Sequence, residues 1–237
     1  MAVGGVRWVA AVAVVGGLLA VATPARAADP VAPTTTAPDP RATGARPGFV
    51  AKSPGALPRP VISRGVVGDP AAVLAADLLV RVRLGQTGPT VDTVRSQLAA
   101  VVAARIKTAA AADLDAAWAR TTPARLTAVL SALAQIGVRY AWAQASPTAG
   151  FDCSGLVLYG WAAAGVALPH NSEDQLALLR PVTATQLQVG DVTHQPNHVS
   201  LYLGAGRAVV EAEQTGVPVK VDDWSTSVNA FGSPLSA

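Results

Sequence analysis

Hydrophobic residues recur at helical spacing over the stretch that follows residue 67. Apolar positions three and four apart form one face of a helix, as in the run from Val91 through Val94 and Leu98. Pro70 suits the first position of the first helix, and Gly137 ends the last one. The helices predicted in this way cover residues 71–82, 90–106, 113–118 and 122–136.

In the last third of the chain, apolar residues recur at every second position instead of at helical spacing. Residues 198–204 alternate strictly, so that Val199, Leu201 and Leu203 share one face of a predicted strand and His198 lies on the other. Two more strands are predicted over 207–212 and 217–221. Between the two patterns lie an apolar helix over 153–164 and a short helix over 173–179. Helices followed by antiparallel strands indicate an α+β fold.

The N-terminal residues have a different character. Residues 1–27 resemble a secretory signal peptide, with Arg7, an apolar stretch and a small-x-small cleavage site at Ala25-Arg26-Ala27. The apolar stretch is shorter than the ~20 residues of a membrane-spanning helix. An uncleaved anchor is the alternative. We therefore expect export to the cell wall or medium, without stable membrane insertion after cleavage.

Four parts of the chain follow from these patterns. Residues 28–66 are rich in proline, which excludes regular helix or sheet and predicts an extended linker. The α-helical segment occupies 67–118, and a domain that carries the candidate chemistry occupies 119–237. The helical segment either packs on this domain, masks its cleft, or serves as a spacer or partner-binding module.

Composition removes several classes of function. The formal net charge is only +3, and no run of Lys or Arg tracks along the chain, so a nucleic-acid partner is not expected. The chain has one cysteine, Cys153, and therefore no internal disulfide. An unpaired thiol is unusual outside the cytoplasm, where it is open to oxidation, and this points to a functional role. We expect a monomer.

Cys153 lies at the predicted start of an apolar helix, directly after Asp152. An aspartate before a helix is a favourable N-cap, and the N-terminal end of a helix stabilises a thiolate. The alternative is a small, buried hydrophobic residue, as most free cysteines are. A nucleophilic thiolate also requires a base, and a third group that orients the base.

Three histidines are available as that base. His198 lies on the predicted strand, on the face opposite its apolar neighbours, whereas His170 and His194 lie in predicted loops and are expected at the surface or behind other site residues. The spacing of Cys153 and the histidines offers only His194 and His198 as a compact ligand pair. A zinc site is therefore not predicted.

The blocks around these residues resemble the NlpC family of papain-like cysteine peptidases over about residues 120–221. The matching blocks are Tyr140-x-Trp142, Phe151-Asp152-Cys153-Ser154-Gly155-Leu156-Val157, Leu168-Pro169-x-x-Ser172, Gly190-Asp191, and His198 to Gly206. The resemblance implies a Cys-bearing helix packed on an antiparallel sheet. It also implies that Cys153 is the nucleophile and His198 the base, that Tyr140, Asp152 and Ser154 line the substrate site, and that no metal or organic cofactor is needed.

The sequence departs from the family pattern at several positions. Ala143-Gln144 replaces a Gly-Gly pair, His170 replaces an arginine, and residues 193–197 lack the usual aromatic side chains. The third catalytic residue of the family would fall at Val210, one position before Glu211. Glu211 is predicted to take that role, with Glu213 and Gln214 as alternatives.

The geometry of the β-hairpin decides whether Glu211 can reach His198. A two-residue loop after Leu203 would place Glu211 directly opposite His198. A three-residue loop would turn Glu211 to the wrong face unless a bulge restored it. A third reading leaves Glu211 as a solvated strand residue.

The resemblance implies a secreted endopeptidase that cuts peptidoglycan stem peptides, typically between γ-D-glutamate and the diamino acid. Two alternatives remain. One is a wall-binding or regulatory protein with little turnover on the same fold, and the other is an amidase or acyltransferase with the same Cys–His pair.

Overall fold

A computed structural model of the protein describes residues 68–235. The predicted signal peptide, 1–27, and the proline-rich linker, 28–66, lie outside the described residues. Among residues 68–235, no helix combines the length and the apolar character needed to cross a membrane.

Within residues 68–235, six α-helices form close to where the sequence predicts them. Asp69 caps the first helix, accepting hydrogen bonds from the amides of Ala71 and Ala72, and Pro70 takes the first helical position. The helices are α1 Pro70–Arg83, α2 Pro89–Ala103, α3 Ala111–Arg120, α4 Pro123–Leu133, α5 Cys153–Ala163 and α6 Ser172–Leu178. A 3₁₀ turn, Ala184–Gln186, was not predicted.

The strands form a two-stranded hairpin and a six-stranded sheet, and every pairing is antiparallel. The hairpin consists of β1 Ala145–Ser146 and β2 Gly150–Phe151. The sheet has the order β3-β8-β4-β5-β6-β7. Its strands are β3 Arg180–Pro181, β4 Val192–Gln195, β5 His198–Tyr202, β6 Ala208–Glu211, β7 Lys220–Asp223 and β8 Ala230–Ser233. The predicted α+β fold, with the Cys-bearing helix packed on an antiparallel sheet, is confirmed.

The loop between β5 and β6 is longer than either length considered from the sequence. Leu201 pairs with Val210, and the amide of Leu203 donates to the carbonyl of Ala208, so four residues form the loop. Gly206 lies in this loop at a φ of +54°, and a Cβ there would overlap the carbonyl of Thr108. The four-residue loop places Ser200, rather than His198, opposite Glu211. The expectation of a two- or three-residue loop is therefore wrong.

Both faces of β5 are covered, which also differs from the prediction. Ser200 and Tyr202 are buried although they lie on the face that the alternation marks as open. The Tyr202 ring packs against Trp224, whose ring in turn packs against Phe231 on β8. The chain after β7 thus returns over the sheet, and the face carrying His198 is open only near the end of the strand.

The helical segment shares one hydrophobic core with the sheet. Leu78, Leu98 and Leu114 are fully buried in the same cluster as Leu156 and Leu201. This continuity favours packing on the domain predicted over 119–237 rather than a free spacer, and the predicted boundary between 118 and 119 stays a prediction.

Contacts of the helical segment lie at one end of the sheet. The Trp118 indole donates to the carbonyl of Leu203 at 2.7 Å. Thr108 accepts from the amide of Arg207 at 2.7 Å and donates to the carboxylate of Asp223. Leu203 directly follows β5, Arg207 directly precedes β6, and Asp223 is the last residue of β7. His198 and Glu211 lie at the other ends of the same strands, so these contacts leave the cleft uncovered.

A buried ion pair ties α4 to the start of β4. Arg125 donates to the carboxylate of Asp191, to the carbonyl of Val189 and to the hydroxyl of Ser233, each at 2.8 Å. The two charged side chains are 6% and 1% exposed. Such a pair is stable only because further hydrogen bonds satisfy both ions. The ion pair therefore joins α4, which packs against α5, to β4, which pairs with β5.

Candidate active site

Cys153 occupies the first position of α5, as predicted. Asp152 is the N-cap residue, and its carboxylate accepts a hydrogen bond from the amide of Gly155 at 2.7 Å. The thiol is free and partly exposed. It lies where the N–H groups of the first helical turn point toward a negative charge.

His198 and Glu211 form a hydrogen-bonded pair beside this thiol. Nε2 of His198 lies 2.9 Å from Oε2 of Glu211, and the two side chains are only 14% and 11% exposed. Glu211 lies opposite Ser200 by register, on the same sheet face as His198, and therefore reaches the imidazole diagonally. Because the loop has four residues, Glu211 lies on the same face of the sheet as His198; a three-residue loop would have turned it to the opposite face.

The pKa of His198 is raised to about 9 by its neighbours. Burial lowers this pKa, but the hydrogen bonds and negative charges of Cys153 and Glu211 outweigh burial. With Nε2 on Glu211, the other ring nitrogen, Nδ1, is left for the thiol. The arrangement supports an imidazolium at neutral pH that contacts Glu211 on one side and faces the sulfur of Cys153 on the other.

Glu211 has a second partner on the neighbouring strand. Lys220, which pairs with Glu211 in the β6–β7 register, lies with its ammonium 3.5 Å from the other carboxylate oxygen. The same ammonium binds Glu213 at 3.0 Å and Asp222. Burial lowers the pKa of Lys220, but these carboxylates outweigh burial and raise it above its usual value. Glu213, one predicted alternative to Glu211, is thus bound to Lys220, and Glu211 is the acid that contacts His198.

Asp152 is a buried junction of several hydrogen bonds. Besides Gly155, its carboxylate accepts from the hydroxyl of Ser154 at 3.0 Å, from the amide of Ala143 at 2.8 Å and from Nε2 of His170 at 2.9 Å. Burial raises its pKa, but the hydrogen bonds, that of His170 first, lower it below the usual value overall. Asp152 therefore holds the start of α5 against two loops, and its predicted contact with substrate stays a prediction.

Tyr140 and Ser154, the other predicted substrate contacts, lie around the same point. Tyr140 is bridged to Phe151, directly before Asp152, and is partly exposed. Burial raises the pKa of its hydroxyl, and the nearby charges of Cys153 and Asp152 raise it further. Ser154 is buried and donates to Asp152.

The other two histidines are closer to the site than the sequence indicated. His170, at the position where the family commonly has an arginine, contacts Asp152. His194 lies in β4 rather than in an irregular loop, is 5% exposed, and contacts Glu173 at 3.0 Å. Sequence reasoning missed Glu173 altogether. Its position in the first turn of α6, two residues after the N-cap Asn171, was the available signal.

The surroundings of the His198–Glu211 pair leave room but offer no metal centre. A cavity of about 210 Å³ borders both residues and Trp224. Within residues 68–235, no three side chains of the ligating types come together in a way that could hold a metal ion. The reactive groups that this site presents are the thiol of Cys153, the imidazole of His198 and the carboxylate of Glu211.

Residues 137–230 match the sequence model of the NlpC/P60 family. These residues belong to the NlpC/P60 family. The match contains Cys153, His198 and Glu211 and overlaps the range in which the family's motifs occur. The matched range begins after α4 and includes α5, α6 and strands β1 to β7, and it ends at Ala230, the first residue of β8.

Several known proteins are similar to this NlpC/P60 domain. A probable endopeptidase of Mycobacterium tuberculosis is 43% identical over 106 residues, which are 44% of this chain and 27% of that protein. The peptidoglycan endopeptidase RipA of the same organism is 43% identical over 105 residues, 38% of this chain and 22% of RipA. The chain thus spans about a quarter of the length of these relatives. The structure of the peptidoglycan hydrolase RipB from M. tuberculosis aligns with a TM-score of 0.45 at 26% identity, covering 76% of this chain and 97% of RipB.

Proposed function

We propose that this protein is a cysteine endopeptidase that hydrolyses amide bonds in peptidoglycan stem peptides. One observation carries the proposal: His198 lies between the thiol at the start of α5 and the carboxylate of Glu211. The relatives named as endopeptidases support the same activity and substrate class. Peptidoglycan as partner implies an exported protein at the cell wall, which agrees with the signal peptide predicted over 1–27.

The proposed reaction starts from a thiolate–imidazolium pair. A pKa of about 9 keeps His198 protonated at neutral pH, with one N–H on Glu211 and the other toward Cys153. The Cys153 thiolate attacks the scissile carbonyl, and the imidazolium donates its proton to the leaving amine. Neutral His198 then takes a proton from water, which hydrolyses the thioester and regenerates the pair.

Two groups are available to stabilise charge and bind the substrate. The backbone N–H of Cys153, at the start of α5, can donate to the oxyanion that forms on the carbonyl oxygen. Tyr140, with its hydroxyl near the charges of Cys153 and Asp152, is the partly exposed candidate for a substrate contact. Ser154 and Asp152 act in this proposal mainly by holding the loop that carries Tyr140 and the start of α5.

The finer proposal is cleavage between γ-D-glutamate and the diamino acid, by a monomer that needs no cofactor. It is tested by incubating the full chain with purified peptidoglycan fragments and identifying the products by mass spectrometry. A new free amine on the diamino acid, absent with the Cys153→Ala variant, is the expected result. Circular dichroism of Cys153→Ala controls for folding.

The alternatives give different products in the same experiment. Equal product from wild type and Cys153→Ala would refute the enzyme and leave a wall-binding protein. Products in which the released acyl group appears on a new amine would indicate an acyltransferase. Cleavage between the sugar and the stem peptide would indicate an amidase.

A further inference from the structure

Glu173 connects α6 to the hairpin that carries His198. One of its carboxylate oxygens, Oε2, lies 3.0 Å from Nε2 of His194 in β4. The other oxygen, Oε1, accepts a hydrogen bond from the amide of Asn197 in the β4–β5 turn, also at 3.0 Å. The hydrogen bond from Asn197, followed by that from His194, lowers the pKa of Glu173, so both donors are matched to an ionised carboxylate.

The turn that Glu173 holds lies against the thiol. Pro196 and Asn197 join β4 to β5, and Asn197 has a φ of +65°. Proline followed by a residue at positive φ is typical of a type II turn, whose twist does not suit a two-residue β-hairpin. The carbonyl oxygen of Asn197 is 3.9 Å from Sγ of Cys153, and the next residue is His198. A displacement of this turn therefore moves the imidazole relative to the thiol.

Burial of His194 determines which of its ring nitrogens donates a hydrogen bond to Glu173. The side chain is 6% exposed, and its Nδ1 is buried with no hydrogen-bond partner among the described residues. A proton on Nδ1 would be left unsatisfied in the core, which is costly. The geometry therefore favours the tautomer whose proton is on Nε2 and is donated to Glu173.

We propose that Glu173 and His194 are positioning residues that hold the β4–β5 turn, and with it His198, against Cys153. The inference rests on the proposed function for its catalytic meaning, but the contact it describes can be measured without substrate. In the segment 193–197, which lacks the family's usual aromatic residues, the contact with α6 is made by a histidine and a carboxylate.

The chain contains a matched control beside Glu173. Asp174 lies in the same first turn of α6 and is also exposed, and within the described residues its carboxylate has no hydrogen-bond or ion-pair partner. Asp174→Asn therefore removes the same charge from the same end of the helix without touching the turn. Glu173→Gln keeps the shape of the side chain but presents an NH₂ group to one of two N–H donors.

The test is the rate of alkylation of Cys153 by iodoacetamide as a function of pH, in the full chain. Reaction requires thiolate, so the pH midpoint reports how well the imidazolium is held at the thiol. We expect Glu173→Gln to raise the midpoint by about one pH unit and to lower kcat/KM on stem peptides about tenfold or more. His194→Phe, which keeps the burial and loses the donor, should act in the same direction. Asp174→Asn should match wild type.

The outcomes separate this inference from the proposed function. If Glu173→Gln and His194→Phe keep the wild-type midpoint while remaining folded, the positioning role is refuted. A shift of equal size in Asp174→Asn would assign the effect to charge on α6 and refute it as well. Wild type that alkylates normally but cleaves no peptidoglycan would contradict the proposed function and leave the alkylation result standing.

Discussion

Glu211→Gln tests whether Glu211 is the group that keeps His198 protonated. The imidazole has a pKa of about 9, against an ordinary value of 6.5. That difference corresponds to about 3 kcal/mol of preference for the imidazolium. Burial opposes it, so Cys153 and Glu211 together supply more than this amount. If they share it about equally, loss of the Glu211 charge lowers the pKa of His198 by more than one pH unit.

The direction of the change in rate follows from the sign of that shift. A raised histidine pKa keeps the proton donor in place below about pH 9, and activity is lost as pH rises through that value. Glu211→Gln should therefore move the alkaline limb of the kcat/KM profile to lower pH. At pH 8.5 the variant should be about fivefold or more below wild type, and the difference should be smaller at pH 6, where both imidazoles are protonated.

A neighbouring acid provides the control for this experiment. Glu213 binds Lys220 and has no hydrogen bond to His198 among the described residues. Glu213→Gln removes a charge of the same sign from the same part of the sheet, and its alkaline limb should match that of wild type. An unchanged limb in Glu211→Gln, or an equal shift in Glu213→Gln, would show that Glu211 does not set the protonation of His198.

Three further predictions concern stability, measured by chemical denaturation. Arg125→Met leaves a buried carboxylate without its cation and should cost about 3–5 kcal/mol, whereas Arg81→Met, at an exposed i,i+4 pair, should cost less than about 1 kcal/mol. Ala143→Gly relieves a φ of +55° and should stabilise the protein by up to about 1 kcal/mol, whereas Ala100→Gly within α2 should cost about 1 kcal/mol. Trp118→Phe removes a buried hydrogen bond to β5 and should cost about 2 kcal/mol in a single transition; two separate transitions would contradict a shared core.

Local signals were sufficient to predict the start of the site. An aspartate before an apolar helix predicts an N-cap, and Asp152 caps α5 as expected. The alternation of β5 correctly places His198 and Ser200 on one face and the buried Val199 and Leu201 on the other. These features depend on residues within a few positions of each other, so their physical causes can be read from the sequence.

Features set by distant contacts could not be predicted. The length of the β5–β6 loop depends on the approach of Thr108 to Gly206, which lie about a hundred positions apart in the chain. That length determines the face on which Glu211 lies. Likewise Trp224 covers β5 from beyond β7, and no periodicity within β5 records it. His198 and Glu211 are in contact, but in a register that the sequence did not indicate.

The three histidines show why residue type and spacing alone leave the base undetermined. His170, His194 and His198 each contact a carboxylate, at 2.9, 3.0 and 2.9 Å. A carboxylate partner therefore does not distinguish the base from a positioning residue. The distinguishing feature is the second neighbour: for His198 it is the thiol of Cys153, which adds its charge to that of Glu211. His194 instead has an unpartnered Nδ1 within the described part of the chain, and His170 contacts the cap of the nucleophile's helix. The proposed proton transfer requires a partner on each side of the ring, and of these three histidines only His198 has the proposed nucleophile, Cys153, as its second neighbour.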